Sequence, residues 1–247
     1  METVAVLLAA GKGTRMRSDL AKVLHQFCGE PLVMHPLRAA ARFGVARSIL
    51  VIGHQAEAVR EAVSERFPEV EFVVQAEQLG TGHAVACALP ILGEAFAGAV
   101  LILSGDVPLL SAATLEALAR ACQASSAGIS LASFRPEDPS GYGRIVRDES
   151  GRVAAIREHK DASPAERAIT ECNAGVYCVL AEHLRNELPT LGSSNAAGEI
   201  YLTDLIAARA RAGEVAVVAV DADEVAGVNT PEQLAELEQR AIARGGC

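Results

Sequence analysis

The chain has 247 residues, half of them hydrophobic, with 4% aromatics and no tryptophan; at this length about 70% of the unfolded surface can be buried without a disulfide or metal staple. Twenty-two basic against 31 acidic side chains leave −9 at pH 7 with no basic block, which argues against nucleic acid or anionic membrane as a partner. A charged fraction of 21% beside so much apolar side chain excludes disorder, and a core of Ala, Val, Leu and Ile suits helices packed on a parallel sheet.

The amino-terminal run METVAVLLAAGKG has no basic flank and is too short for a signal peptide or a membrane span. Val4–Ala10 therefore reads as a buried strand, and a cytoplasmic protein is expected. Helix-like apolar spacing follows over Pro31–Phe43, Gln55–Phe67 and Thr81–Leu92, alternating with strand-like runs at Ser48–Gly53, Glu71–Val74 and Ala99–Leu103. This βαβ rhythm predicts an open, mostly parallel α/β sheet with right-handed crossovers. A helix over Leu115–Cys122 has Ser111 as its candidate N-cap. Past Ser125 the rhythm changes to short β candidates at Gly128–Phe134, Gly143–Val146, Val153–Ile156 and Asn173–Val179, with a turn at Asp148–Gly151. A helix over Glu199–Ala212 and a strand over Glu214–Val220 come next. Thr230–Pro231–Glu232 then reads as N-cap, proline at the first helical position and acidic first turn, opening a helix to about Arg244. The expected organisation is one domain over 1–230, carrying a small β-rich insertion, with a terminal helix over 231–247 packed on it or extending from it.

The six cysteines, Cys28, Cys87, Cys122, Cys172, Cys178 and Cys247, form no CxxC pair and lie at no zinc-finger spacing from a histidine. Buried free thiols in a reducing compartment are expected. His25, His35, His54, His83 and His159 show no metal-ligand spacing and read as structural or supporting residues.

The strongest local signal is LAAGKGTRM followed by SDLAKVL. A strand ends in Ala9–Ala10–Gly11, and Gly11 and Gly13 allow backbone N–H groups to face phosphate oxygens. Arg15 can grip phosphate as a fork, and Lys22 adds a point charge. The order of Gly11–Lys12–Gly13–Thr14 is wrong for the Walker loop, and Met16 stands where the dinucleotide fingerprint needs its third glycine. Gln75, at a strand end before Gly80–Thr81, offers donor and acceptor for an imide edge. Asp106 follows the apolar strand AVLILSG at the carboxyl edge, where open α/β sheets bind ligands, and an oxygen donor there suits Mg²⁺.

LAAGKGTRM with AK downstream resembles the signature loop of the sugar-nucleotide pyrophosphorylases. QAEQLGTGHA, SGDVPLL, GYGRIV, EHKDA, NAGVY, NAAGEIYLTDLI and GVNT recur in that family's order from about Val4 to Leu237. Together they resemble the uridylyltransferase half of the bacterial bifunctional N-acetylglucosamine-1-phosphate enzymes. The resemblance implies a Rossmann-like, nucleotide-diphospho-sugar transferase fold. It also implies the reaction of UTP with N-acetylglucosamine 1-phosphate to UDP-N-acetylglucosamine and pyrophosphate, assisted by Mg²⁺. It places Arg15 and Lys22 on the triphosphate as catalytic residues. The nucleotide would meet Leu8, Ala9, Ala10, Gly11 and Gly13, with Gln75, Gly80 and Thr81 at the base. The sugar would meet Gly143, Glu158, Asn173, Glu199, Tyr201 and Thr203, and Asp106 with Asn229 would hold the metal.

Three residues depart from that family's pattern. Ala21 stands where proline is usual before the lysine, Ala174 where threonine is common, and Ile200 where some members have tyrosine. The last two fall among the sugar-side motifs, so a different sugar 1-phosphate, or dTTP as donor, is the alternative reading, and a non-catalytic nucleotide-sugar-binding protein is another. The hexapeptide β-helix of the bifunctional relatives is absent from this sequence, so neither acetyl transfer nor its trimer is expected. A monomer or small homo-oligomer is.

Overall fold

Strand β1 (Thr3–Ala9) lies inside a nine-stranded sheet in the computed structural model, which describes residues 1–245. Ala5, Leu7 and Ala9 enter one apolar cluster and Val4 and Val6 enter another, because successive strand side chains point to opposite faces. Burial on both faces explains why the sequence shows a continuous apolar run here rather than an alternation.

From β1 the chain passes through a small hairpin, β2 (Gln26–Phe27) and β3 (Glu30–Pro31), and then helix α1 (Met34–Phe43). It returns as β4 (Arg47–Ile52), parallel to β1. Helix α2 (Ala56–Arg66) and strand β5 (Glu71–Val74) continue outward. Helix α3 (Thr81–Leu92) then carries the chain back to β6 (Ala99–Ser104), which pairs in parallel on the opposite side of β1. The direction of strand addition therefore reverses between β1 and β6. The crevice at their carboxyl ends is where sheets of this kind bind ligands.

The remaining elements are α4 (Ala112–Ala124), β7 (Ile129–Phe134), β8 (Arg144–Arg147), β9 (Val153–Arg157), α5 (Pro164–Arg167), β10 (Cys172–Leu180), α6 (Ala181–Glu187), α7 (Asp204–Ala212), β11 (Ala216–Ala219) and α8 (Pro231–Ala243). β10 inserts antiparallel between β6 and β7, and β11 lies parallel to β7 at the edge. The β-rich part of the chain is thus continuous with the central sheet; only the β8–β9 hairpin branches from it, through the pairing of Arg144 with Cys172. Helices α1, α2 and α4 cover one face through Leu37, Val63 and Leu118, and α3, α6 and α7 cover the other through Val85, Leu184 and Ile206. This is the mixed, mostly parallel α/β fold with helices on both faces.

Several boundaries differ from the sequence expectation for identifiable reasons. α1 begins at Met34 rather than Pro31, because Glu30–Pro31 pairs with Gln26–Phe27. α4 begins three residues ahead of Leu115, since the Ser111 hydroxyl accepts the Thr114 N–H at 3.1 Å and starts the helix there. α7 begins at Asp204 rather than Glu199. The preceding backbone is committed elsewhere: Ile200 N–H donates to Leu79 O at 2.7 Å, Gly82 N–H donates to Ile200 O at 2.8 Å, and Leu202 N–H donates to the Thr81 hydroxyl at 3.1 Å. α8 starts as expected, with Thr230 accepting from Gln233 N–H, and packs through Leu237 and Ala241 on Met16, Phe27 and Leu32.

Cys87, Cys122, Cys172 and Cys178 are free thiols. Cys28 corrects the expectation: it is disulfide-bonded, and it sits outside the sheet core, at the turn between β2 and β3 with a positive φ of 48°. Cys247 lies outside the described residues. Among the described residues, no helix is long and apolar enough to cross a membrane.

The branching hairpin is tied down by a fork. Arg147 Nε and Nη2 donate to the two Glu171 carboxylate oxygens at 2.9 and 2.8 Å. The Arg147 guanidinium holds the Glu171 carboxyl below its ordinary value of 4.5, against the opposing effect of burial. A depressed folded-state value means that the stabilisation is complete above the ordinary value and is lost as pH falls through the depressed one. Glu171→Gln is expected to destabilise the fold by about 1–3 kcal/mol at neutral pH. In urea unfolding the gap to the wild type should close on the acid side of pH 4.5.

Candidate active site

The glycine loop after β1 turns back on itself because Gly13 has φ 63° and lies against the residue that closes the loop. A Cβ at Gly13 would sit 2.5 Å from the Lys22 Cβ. Lys22, at the start of a 3-10 turn, donates from Nζ to Asp106 Oδ2 at 2.5 Å and to Asn229 Oδ1 at 3.0 Å. Arg15 Nη2 donates to the same Asn229 oxygen at 2.8 Å. The Lys22 and Asp106 side chains retain 17% and 15% of their exposure, so the pair is partly withdrawn from water and its attraction is less screened than on a surface. Asp106 stands just past β6, where Gly105 N–H is bound to Leu8 O. Asn229 is set by the start of α8, its own N–H donating to Gln233 Oε1 at 2.9 Å.

Asp106 Oδ2 and Asn229 Oδ1 thus converge on one positive centre. A carboxylate and an amide oxygen form a hard donor pair, which Mg²⁺ accepts when phosphate and water complete its six positions. The residues present fit that ion, and among the described residues no cluster of three His, Cys, Asp or Glu side chains offers a denser cage.

A cleft of about 340 Å³ opens beside this group, lined by Leu8, Ala9, Ala10, Gly11, Lys22 and Asp106, and also by Gln75, Gly80, Thr81 and Glu199. Gln75 is only 3% exposed. Its amide nitrogen donates to Gly80 O at 3.1 Å and contacts His83 Nδ1 at 3.0 Å. Gly80 O can only accept, which sets the orientation of the amide and leaves its carbonyl oxygen for the cleft. Gly80 itself has φ 108°, and a Cβ there would fall 2.5 Å from Ile200 O. The Glu199–Thr203 segment therefore packs directly on the loop that carries the Gly80–Thr81 wall.

That same segment reaches the other group of expected residues. Thr203 Oγ1 donates to Glu158 Oε1 at 3.0 Å, a Cβ at Gly143 would lie 3.4 Å from the same oxygen, and Asn173 N–H donates to Gly143 O at 2.9 Å. The Asn173 amide nitrogen donates to the Tyr177 hydroxyl at 2.6 Å. Burial pushes the Glu158 carboxyl up, and the Asp161, Asp204 and Glu199 carboxylates add to that. Burial first, then Asp161 and Glu158, push the Tyr201 hydroxyl up to about 12. The result is a half-buried polar wall of acceptors and hydroxyls, suited to a polyhydroxylated ligand.

Every site residue named from the sequence falls in one of these places. Leu8, Ala9, Ala10, Gly11, Lys22, Gln75, Gly80, Thr81, Asp106 and Glu199 line the cleft. Asn229 is joined to the lining through Lys22 and carries Arg15 with it, and Gly13 lies against Lys22. Gly143, Glu158, Asn173, Tyr201 and Thr203 form the polar wall. Of the two sugar-side departures, Ala174 packs on the core and Ile200 packs against Gly82.

Ser104 and Gln78 also line the cleft, and Asp161 lies beside the polar wall, its carboxylate acting on Glu158 and Tyr201. All three lie inside motif strings already singled out (SGDVPLL, QAEQLGTGHA and EHKDA), which was the available signal. Gln55 carried no such signal, since in the sequence it reads only as a helix start.

Gly13→Ala should displace Lys22, because neither the positive φ nor the 2.5 Å approach tolerates a methyl group. A loss of about 1–3 kcal/mol in stability is expected, with at least tenfold weaker binding of inorganic pyrophosphate in a calorimetric titration.

Comparison with known proteins places the chain in a family. Residues 5–200 match the family model of the MobA-like NTP transferase domain. The chain is 51% identical over 242 residues to the bifunctional protein GlmU of Anaeromyxobacter dehalogenans (strain 2CP-C), covering 97% of this chain and 49% of that protein. It is 50% identical over 239 residues to the bifunctional protein GlmU of Pelobacter propionicus, covering 96% and 52% respectively. For that of Geobacter sulfurreducens the figures are 47% over 242 residues, 97% and 50%. The chain spans about half the length of these curated relatives. With the family model covering well over half of it, the chain belongs to the MobA-like NTP transferase domain family.

Proposed function

We propose that the protein transfers a uridylyl group from UTP to N-acetylglucosamine 1-phosphate, releasing pyrophosphate. The observation that carries this reading is the meeting of Arg15, Lys22, Asp106 and Asn229, two of which line one cleft. The same cleft is lined by a buried glutamine amide and by Glu199, whose segment reaches the polar, acceptor-rich wall. The ordered motif strings described above support the same donor and acceptor.

An oxygen of the sugar phosphate attacks the α-phosphorus of UTP in line. The new P–O bond forms as the bond to the β-phosphate oxygen breaks, and pyrophosphate leaves. The attacking phosphate is already ionised, so no general base is needed, and catalysis consists of positioning and charge neutralisation. Lys22 holds the phosphates where charge redistributes, and Arg15 grips the departing pyrophosphate. Backbone at Leu8–Gly11 carries the nucleoside. The free carbonyl oxygen of Gln75 accepts from the imide N–H of uracil, while cytosine, lacking that donor, is disfavoured. Glu158, Asn173 and Thr203 receive the sugar hydroxyls, with Glu199 and Tyr201 closing the acceptor side. Asp106 and Asn229 would hold Mg²⁺, which when bound neutralises phosphate oxygens.

Pyrophosphate release measured over a panel of nucleoside triphosphates and sugar 1-phosphates tests the reading. UTP with N-acetylglucosamine 1-phosphate should give the highest kcat/KM, and Asp106→Ala should lower it at least a hundredfold. Turnover only with a different pair would move the assignment to that pair. Near-normal turnover in Asp106→Ala would remove Asp106 from the metal site.

A further inference from the structure

We propose that Gln55 is a positioning residue for Lys22, acting through the segment that precedes the lysine. Gln55 lies after β4, at the threshold of α2, and adopts φ 52° and ψ 43°. That left-handed conformation is disfavoured for a residue with a Cβ. It aims the side-chain amide back across the loop that follows β1. Gln55 Oε1 accepts the Ala21 N–H at 2.7 Å, and Gln55 Nε2 donates to the Asp19 carbonyl at 2.5 Å. The amide therefore grips both ends of Asp19–Leu20–Ala21, as one peptide unit pairs with another.

Among the described residues, these are the only hydrogen bonds from the 18–21 segment to a distant part of the chain. The other two are local: Leu20 N–H to the Ser18 hydroxyl, and Leu24 N–H to Ala21 O. Lys22 follows immediately, and its ammonium must meet Asp106 and Asn229 from the far side of the glycine loop. A flexible four-carbon stem reaches a fixed point reproducibly only when its Cα is fixed.

Ala21 shows how the clamp works. Its φ of −53° lies within the range a proline ring would impose. Its N–H, which proline would lack, is the group that Gln55 accepts. The side-chain clamp thus stands in for a backbone constraint, and the two should be interchangeable. Gln55 is exposed, so its hydrogen bonds contribute little to global stability while setting the local geometry.

The proposal rests on Lys22 as the phosphate-binding lysine, so its test includes readouts that do not need turnover. In Gln55→Gly the clamp is lost and the left-handed backbone becomes unstrained. We expect Tm to stay level or rise, exchange of the Ala21 amide to accelerate at least tenfold, and pyrophosphate affinity to fall about tenfold. If UTP is the donor, kcat should fall more than KM rises. In Gln55→Ala/Ala21→Pro, pyrophosphate affinity should return to within about threefold of wild type. Wild-type affinity in Gln55→Gly, or no recovery in the double variant over Gln55→Ala alone, would overturn the proposal. A wild-type protein that binds pyrophosphate but turns over no UTP would sink the functional reading, and the titration and exchange measurements would still decide the role of Gln55.

Discussion

The Lys22 ammonium, held between the Asp106 carboxylate and the Asn229 amide oxygen, is the contact on which the rest of the site depends. It joins parts of the chain that are 84 and 207 positions apart. A molecule with a net charge of −9 repels a triphosphate through its overall field, so it must reverse the sign of the potential in one place. Lys22 and Arg15 do so on the same Asn229 oxygen. Partial burial of the Lys22–Asp106 pair strengthens the attraction, and the further hydrogen bond to Asn229 helps offset the cost of removing two charges from water. Gly13 leaves room for the lysine stem, and the first turn of α8 fixes the asparagine. The terminal helix thus bears on the chemistry as well as on the core.

Unwinding of the Glu199–Thr203 segment is the second organising feature. Had α7 started at Glu199, the Ile200 carbonyl would have been spent within the helix. Instead that carbonyl accepts from Gly82, the Ile200 and Leu202 N–H groups bind Leu79 and Thr81, and the five residues become a strap between the Gly80–Thr81 wall and the polar wall. One edge presses on Gly80 and so on the wall that Gln75 completes. The other presents Glu199, Tyr201 and Thr203 toward Glu158. In the proposed reaction, base and sugar are read by walls that share one piece of backbone, so a shift at either is transmitted directly to the other.

Much of this was legible in the residues. The central strands are continuous apolar runs because both faces are buried, and α3 and α8 follow their apolar spacing and end signals closely. The glycine loop, Arg15, Lys22, Gln75 and Asp106 were visible because their type and spacing already suit phosphate, imide or metal chemistry, whereas the sugar-side residues and Asn229 were visible only through the motifs' resemblance to the family. Illegible features came from long-range backbone pairing. The β2–β3 hairpin shortens α1, the 79–82 loop unwinds the start of α7, and β7, β10 and β11 join the central sheet instead of forming a separate unit. The Cys28 disulfide was hidden for a related reason: the residue lies in a surface turn whose position only folding reveals.

Taken alone, the sequence determined the fold class, the glycine loop, the carboxyl-edge placement of Asp106 and the family to which the motifs point. The first three depend on periodicity and on contacts among residues close in the chain, and the family on the resemblance of its ordered motifs. Only the tertiary structure decided that Asn229 meets Lys22, that Glu199–Thr203 is a strap, and that Gln55 reaches back to Asp19 and Ala21. Each is a hydrogen bond between segments far apart in sequence, and no local preference of either partner encodes the distance between them.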